Sequence, residues 1–277
     1  MTARKRYSVF FALALSLSCG LVANAGAAQD TASDRAKPVE PVDAAPEVQS
    51  VSVSAVKDPE MKSYRAMLAG LDAFEQHHAL APEAPQLRFV LSSISGESGV
   101  DFEHTKLSIR GDNVTIPLVL DAGNGFVLPR NRQAEDDDAD LILDVRKGKI
   151  RGRPDIRTHG IPADARRLGD LRLECEVRAA IAKAEMNFVF RGALAAVTLG
   201  HGLCGSQSIH MGFFAGKNIT GVMLVSNSRR EPLTTFFGPN YFPPISDQSW
   251  PDDTLVKFQF DHAELLQEPR GADIPST

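Results

Sequence analysis

The chain has 277 residues, of which 43% are hydrophobic and 23% are charged. This composition is typical of a globular protein and excludes collagen-like chains, fully disordered chains and multi-span membrane proteins. The formal charge is −5, and the first 27 residues hold three basic residues and no acidic one, so the remainder carries −8. A chain this acidic is poorly suited to bind nucleic acid or an anionic membrane surface.

The N-terminus has the pattern of an export signal. A basic triplet, residues 4–6, precedes an apolar run, residues 7–17, that is too short to span a bilayer. Small residues follow, and we predict cleavage after Ala27 and a periplasmic or secreted location. The alternative is a lipoprotein signal at Cys19, but Ser16 stands where such signals usually have leucine, so we favour the plain signal peptide. We expect no transmembrane segment in the mature chain, because no later run of 18 apolar residues is uninterrupted.

Changes in composition and periodicity divide the chain into seven segments. A stretch rich in Ala, Pro and acidic residues, without aromatic residues, cannot bury enough surface to offset its ordering entropy and indicates a linker. The predicted segments are a signal peptide at 1–27, a disordered linker at 28–57, a helix at 58–82, a first β unit at 83–145, a connector at 146–200, a second β unit at 201–262 and a flexible tail at 263–277.

Two of these segments carry helix or strand patterns of their own. The predicted helix has Asp58 as N-cap and Pro59 at its first position, and it ends at Pro82. In the connector, residues 171–177 alternate apolar and polar side chains, which predicts a strand with its cysteine on the apolar face. Residues 179–186 are predicted to form a short helix.

Two strand-rich stretches, residues 107–145 and 222–260, align without a gap at a fixed offset of 115 residues. Both have the same order: a turn, a Pro-Leu strand, a second turn, an aromatic residue, a proline, an acidic pair and a closing strand. Phe126, for example, falls on Tyr241. Ordered agreement over about 39 residues favours a duplicated unit. We therefore predict a mainly β fold, with two related β-sandwich-like units, one N-terminal helix and a short helical connector.

The repeated unit resembles a known type of module. The residues that carry the resemblance are Asp112 to Leu118, Gly125 to Pro129 and Leu141 to Leu143. The unit resembles the repeat of transthyretin-like, carboxypeptidase-regulatory-type β-sandwich modules. That repeat has a polar turn, an apolar strand, a Gly-aromatic step and a proline before a closing strand. Two such units around a cysteine-containing middle segment are also similar to an uncharacterised family of exported bacterial proteins. The resemblance implies binding, support or spacing and brings no catalytic residues. The second copy departs from the pattern, with Asn240 in place of the glycine.

Removal of the signal leaves two cysteines, Cys175 and Cys204. In an oxidising compartment such a pair predicts one disulfide. A zinc site made by the two cysteines with His201 and His210 is the alternative, because thiolate and imidazole groups suit that metal. We favour the disulfide, since the compartment favours oxidation and Cys175 has no close partner in the sequence.

Calcium is the other metal for which the sequence offers ligands. Asp136, Asp138 and Asp140 alternate, as oxygen ligands in a loop do, but the glycine and the downstream glutamate of a calcium-binding loop are missing. We therefore predict no bound metal or other cofactor. The basic residues that collect between residues 146 and 190 could bind an anion or a polysaccharide, but pairing with the acid-rich run at 135–140 is the interpretation we favour.

Catalytic patterns are weak throughout the chain. We predict an exported, non-catalytic binding or structural module of the bacterial envelope, with an unknown envelope component or a polysaccharide as partner and no nucleic acid. The alternative is a periplasmic metal-dependent or Cys/His hydrolase, in which Cys204 and His201 would be nucleophile and base.

Overall fold

The computed structural model describes residues 56–94, 100–198, 200–227, 229–235 and 238–260. Within these ranges the fold is mainly β, with 13 strands in four antiparallel sheets, as the sequence predicted. The predicted signal peptide at 1–27, Cys19, most of the linker at 28–57 and the tail at 263–277 lie outside the described residues.

The first unit has a four-stranded and a three-stranded sheet. Its elements are β1 (Pro59–Ser63), α1 (Tyr64–Gln76), a 3-10 turn (His78–Leu80), β2 (Arg88–Ser93), β3 (Leu107–Arg110), β4 (Thr115–Leu118), β5 (Gly125–Phe126), α2 (Arg132–Asp136), β6 (Asp140–Arg146) and β7 (Ile150–Asp155). The larger sheet has the order β1-β6-β3-β4 and the smaller one β5-β2-β7. Buried side chains of both sheets form one core with α1, which gives the unit its sandwich-like build.

The second unit repeats the larger sheet of the first and has a smaller sheet of two strands. Its elements are β8 (Ala165–Arg167), α3 (Leu168–Glu185), α4 (Phe188–Val197), α5 (Gly202–Gly205), β9 (Phe213–Phe214), β10 (Ile219–Ser226), β11 (Arg229–Leu233), β12 (Asn240–Tyr241) and β13 (Leu255–Phe260). The larger sheet has the order β8-β13-β10-β11, which corresponds strand for strand to the larger sheet of the first unit, and the smaller sheet pairs β12 with β9. Trp250, Tyr241 and Val256 lie at the centre of its core.

The strand registers agree with the repeat that the sequence indicates. Every pairing of β3 with β4 and with β6 has its counterpart 115 residues later, in the pairing of β10 with β11 and with β13. Examples are Leu107–Leu118 and Leu107–Leu143 in the first unit, and Val222–Leu233 and Val222–Phe258 in the second. A slip of one residue would move the buried side chains of each strand to the opposite face of the sheet. This agreement therefore requires the same pattern of buried faces in both units.

The correspondence extends to a strand and a helix that the sequence comparison did not reach. In each unit an edge strand leads directly into a long helix, β1 into α1 and β8 into α3. The first helical amide donates to an equivalent carbonyl in both, Tyr64 to Ala139 at 2.9 Å and Leu168 to Thr254 at 2.8 Å. The second unit therefore begins at β8, inside the segment from 146 to 200 that the sequence suggested was only a connector, and β7 of that segment belongs to the first unit.

The prediction of a strand at 171–177 is wrong, because these residues lie in α3. α3 packs between the two units and therefore carries two apolar stripes. Leu171 and Cys175 belong to the core of the second unit, whereas Leu173 and Val177 belong to the core of the first. Two stripes on opposite faces of a helix produce the alternation that we interpreted as a strand.

The N-terminal helix is shorter than the predicted 58–82. Residues 59–63 form β1, which pairs with β6, so their backbone groups are satisfied by a sheet and not by a helix. The N-cap is Ser63, whose Oγ accepts a hydrogen bond from the amide of Ala66 at 3.3 Å, and not Asp58.

Candidate functional site: an apolar cavity beside an arginine cleft

A cavity of about 270 Å³ lies between the two sheets of the first unit and opens beside α3. Its walls are mainly apolar side chains from both sheets and from the two long helices. They include Met67, Phe89, Leu91, Phe126, Leu141, Leu143, Ile150 and Ile181. The strand residues among these are buried and belong to the core of the first unit, so the cavity adjoins that core.

An ion pair lies at one end of this cavity. Lys62 on β1 donates to Glu185 at the end of α3 over 2.7 Å, and both side chains are partly exposed. Glu60 also lines the cavity. A partly exposed pair of this kind contributes little to stability, about 0–1 kcal/mol, so it can open at small energetic cost.

A second space, of about 260 Å³, lies between β7 of the first unit and the short strands β9 and β12 of the second. Three arginines line it: Arg151 and Arg153 from β7, and Arg178 from α3. Phe213, Phe214 and Asn240 form part of the opposite wall. We call this space the arginine cleft.

The cavity and the arginine cleft are neighbours. Gly152, Pro154 and Arg178 line both of them. Gly152 has no side chain, and an added Cβ there would reach only Leu91, at 3.5 Å. A glycine within a strand commonly marks the close approach of another group to the backbone. The two spaces therefore meet at β7, the edge strand of the smaller sheet.

Arg178 is the charged residue that lines both the cavity and the arginine cleft. It donates to the carbonyl of Gly212 at 2.8 Å and its guanidinium lies 5.4 Å from the centre of the Phe213 ring. Burial lowers the pKa of Arg178, Glu174 opposes this effect, and the positive charges of Arg151 and Arg153 lower the pKa further. Glu174, which also lines the cleft, offsets part of this repulsion, and three guanidinium groups against one carboxylate leave the lining with a net positive charge that favours an anion.

Arg153 also has an unused donor. Its Nε is buried and has no hydrogen-bond partner among the described residues. The nearest carboxylate contact of Arg153 is to Asp155, at 3.7 Å, and its guanidinium lies 5.8 Å from the centre of the Phe214 ring. A buried donor without a partner is costly, and Arg153 is among the residues that line the cleft.

Several other basic residues of this region are paired internally, but with acids other than the run at 135–140 that the sequence analysis favoured. Arg166 is buried and binds Glu174, and it lies 3.7 Å from Asp155. Burial raises the pKa of Asp155, but Arg157, Arg166 and Arg153 outweigh this effect and hold it below its ordinary value. Burial raises the pKa of Glu174, and Arg166 opposes this. The acid-rich run at 135–140 instead contacts arginines nearby, such as Asp138 with Arg65.

The two cysteines are joined. Cys175 and Cys204 form a disulfide with an S–S distance of 2.02 Å, and both are buried in the core of the second unit. The bonded sulfurs leave no thiolate for the zinc site that we considered with His201 and His210, and no free thiol for a Cys/His nucleophile.

The calcium candidates are not brought together. Asp136 lies 3.8 Å from Arg132, and Asp138 lies 3.3 Å from Arg65. Burial raises the pKa of Asp140, and the charge of Asp138 raises it further. Among the described residues, one group has potential metal-ligand atoms within 4.8 Å of one another. It consists of Asp101, Glu103 and His104, and all three are exposed.

Sequence reasoning missed the site because both of its halves have ordinary sequence patterns. Its apolar wall alternates like any strand with one buried face, and its arginines stand among many others. The one local signal was Gly152 between two arginines in a strand, since a strand interior seldom carries glycine without a reason.

No family model matches the chain, no curated protein matches it, and no solved structure matches its fold. The resemblance to transthyretin-like modules therefore stays a prediction.

Proposed function

We propose that the protein is an exported, non-catalytic binding module of the bacterial envelope, and that it binds an amphiphilic anion. The ligand would consist of an alkyl chain that carries a carboxylate, sulfonate or phosphate. The observation that supports this most directly is that an apolar cavity and a cleft with three arginines share Arg178. The alkyl chain would occupy the cavity, and the acidic group would bind in the cleft.

Physical chemistry favours this class of ligand over the polysaccharide that we considered from the sequence. Burial of an alkyl chain stabilises a complex by about 0.8 kcal/mol per CH₂ group. Arginine binds carboxylates and phosphates through two parallel hydrogen bonds, which fixes their orientation. A sugar acid could use the arginines, but its hydroxyl groups would find few partners in a cavity that is lined by Phe89, Leu91 and Leu141.

The disulfide is compatible with a periplasmic or extracellular location. Together with the N-terminal sequence pattern it supports export with cleavage after Ala27. The hydrolase alternative loses its nucleophile, because Cys204 is bonded to Cys175.

Isothermal titration with decanoate, decyltrimethylammonium and acetate tests the proposal. We expect decanoate to bind, and the other two to bind at least tenfold more weakly, because one lacks the anion and the other lacks the chain. Arg178→Met should weaken decanoate binding roughly ten- to a hundredfold, since a hydrogen bond to a charged group contributes about 1.5–3 kcal/mol.

One further variant tests the junction between the two spaces, and a second serves as the control. Gly152→Val should block the junction between cavity and cleft without destabilising the strand, because valine is favoured in β structure. Arg132→Met is the matched control, since it removes an arginine that is 93% exposed and lies on α2. Equal binding of decanoate and decyltrimethylammonium, or no effect of Arg178→Met, would refute the proposal.

A further inference from the structure

Helix α4 has an unusual surface. None of its ten residues is buried, and Leu194 is the one that is half-buried. Its sequence is apolar except for Arg191, yet Phe188 is 80% exposed and Phe190 is 66% exposed. A helix that is apolar on nearly all sides is normally buried in a core or a membrane.

The apolar residues of α4 surround most of the helix. At 100° per residue, Phe188, Val189, Val197 and Phe190 spread over about 200° of the circumference. The remaining side faces the protein, where Arg191, Leu194 and Ala195 line a groove with residues of α3. A flat protein surface contacts only one side of a helix, whereas an apolar medium can surround the whole exposed arc.

The size of the patch also disfavours a second copy of the chain as the occupant. α4 has ten residues and is therefore about 15 Å long. A strip of that length and one helix wide offers much less than the roughly 800 Å² per partner that stable complexes bury.

The sequence from Phe188 to Gly205 is apolar and long enough to cross a bilayer by length and composition. The fold prevents it from doing so, because the stretch is divided into α4 and α5, and Cys204 at its end is held in the core by its disulfide to Cys175. A helix that cannot cross the bilayer can still lie in its surface, with apolar side chains in the acyl region.

We infer that α4 is a membrane-docking helix, which inserts Phe188, Val189, Phe190 and Val197 into the surface of a lipid bilayer. The contact is apolar, and Arg191 supplies the one charge of the helix. Binding should therefore need no anionic lipid and should survive an increase in salt, unlike binding by a basic patch.

Flotation with phosphatidylcholine vesicles tests this inference on the mature, oxidised chain. We expect the parent protein to float with the vesicles at low and high salt. The double variant Phe188→Ser/Phe190→Ser should bind at least about a hundredfold more weakly, as expected when two phenyl groups are withheld from an apolar environment.

The matched control is Val119→Ser/Val127→Ser, because both valines are exposed but lie outside α4. It should float like the parent protein. Fluorescence of Trp250 should be the same in all three proteins, which shows that the second unit is folded. In the absence of vesicles, the α4 variant should bind decanoate like the parent, so this inference and the proposed function can fail separately.

Three outcomes would overturn the inference. The parent protein could remain in solution, the α4 variant could float as well as the parent, or sedimentation without lipid could show a dimer that the α4 variant abolishes. The last result would assign the helix to a contact between two copies of the chain.

Discussion

Arg172 is the residue whose removal should destabilise the second unit most clearly. It lies on α3 and is buried, and its guanidinium donates to the carbonyls of Ile245 at 2.9 Å, Asp247 at 2.7 Å and Trp250 at 3.0 Å. It also forms an ion pair with Asp252. One side chain thus holds the loop between β12 and β13 against the helix.

The substitution Arg172→Met keeps an apolar stem of similar length but leaves three carbonyls and one carboxylate without their partner. Removal of one member of a buried ion pair costs about 3–5 kcal/mol. Because the Asp252 side chain is 34% exposed, water can solvate it in the variant, and we expect a loss of about 3–4 kcal/mol. With a slope near the upper end of about 1–3 kcal/mol per molar urea, the midpoint should fall by roughly 1–2 M.

The assay is urea unfolding followed by the fluorescence of Trp250, which is the one tryptophan of the chain. Trp250 is 2% exposed and lies in the loop that Arg172 holds, so its emission reports on this region. Arg132→Met removes an exposed arginine and should leave the midpoint unchanged. If Arg172→Met unfolds at the same urea concentration as the parent protein, the assignment of Arg172 as the support of this loop is wrong.

Three further changes should each alter the stability of the fold. Reduction of the Cys175–Cys204 disulfide, which spans 29 residues, should lower the free energy of unfolding by about 3.5 kcal/mol. Urea unfolding with and without dithiothreitol measures this difference, and equal midpoints would contradict it. Arg88 pairs with Asp121 at 2.6 Å and holds the pKa of that carboxyl below its ordinary value. This partly exposed pair should therefore stabilise the fold by about 0.5–1 kcal/mol above pH 4 and lose that effect as the pH falls further. Asp121→Asn should therefore differ from the parent protein at pH 7 and converge with it in acid, whereas a constant difference in unfolding free energy would refute the pairing. Gly169→Ala should lower the thermal midpoint, because its Cβ would clash with the carbonyl oxygen of Leu80, and an unchanged midpoint would show that the helix can shift.

The parts of the fold that the sequence predicted are those where local pattern and burial agree. β3, β4 and β6 lie in a stretch that recurs in the second unit at a fixed offset, so the shared order of turns, apolar positions and prolines identified where these strands lie, and the structure adds their registers. The disulfide was predictable because two cysteines in an oxidising compartment have few alternatives.

The parts that it did not predict depend on contacts between distant segments. α3 alternates like a strand because it serves two cores, and no single-sequence window shows that a second core exists. The start of β1 has the aspartate and proline that are typical of a helix start. It is a strand because it pairs with β6, which lies about 80 residues later in the sequence. The cavity and the arginine cleft arise from the packing of two units, which the pattern of either unit alone does not show.

An amphiphilic anion that binds as proposed occupies the cavity and the arginine cleft together. A titration of the ¹⁵N-labelled mature protein with decanoate, followed by two-dimensional amide NMR spectra, tests this. The largest shifts should occur at Phe89, Gly152, Arg178 and Ile181, with no change in helix α4. Shifts confined to α4, or spread evenly over the chain, would contradict it.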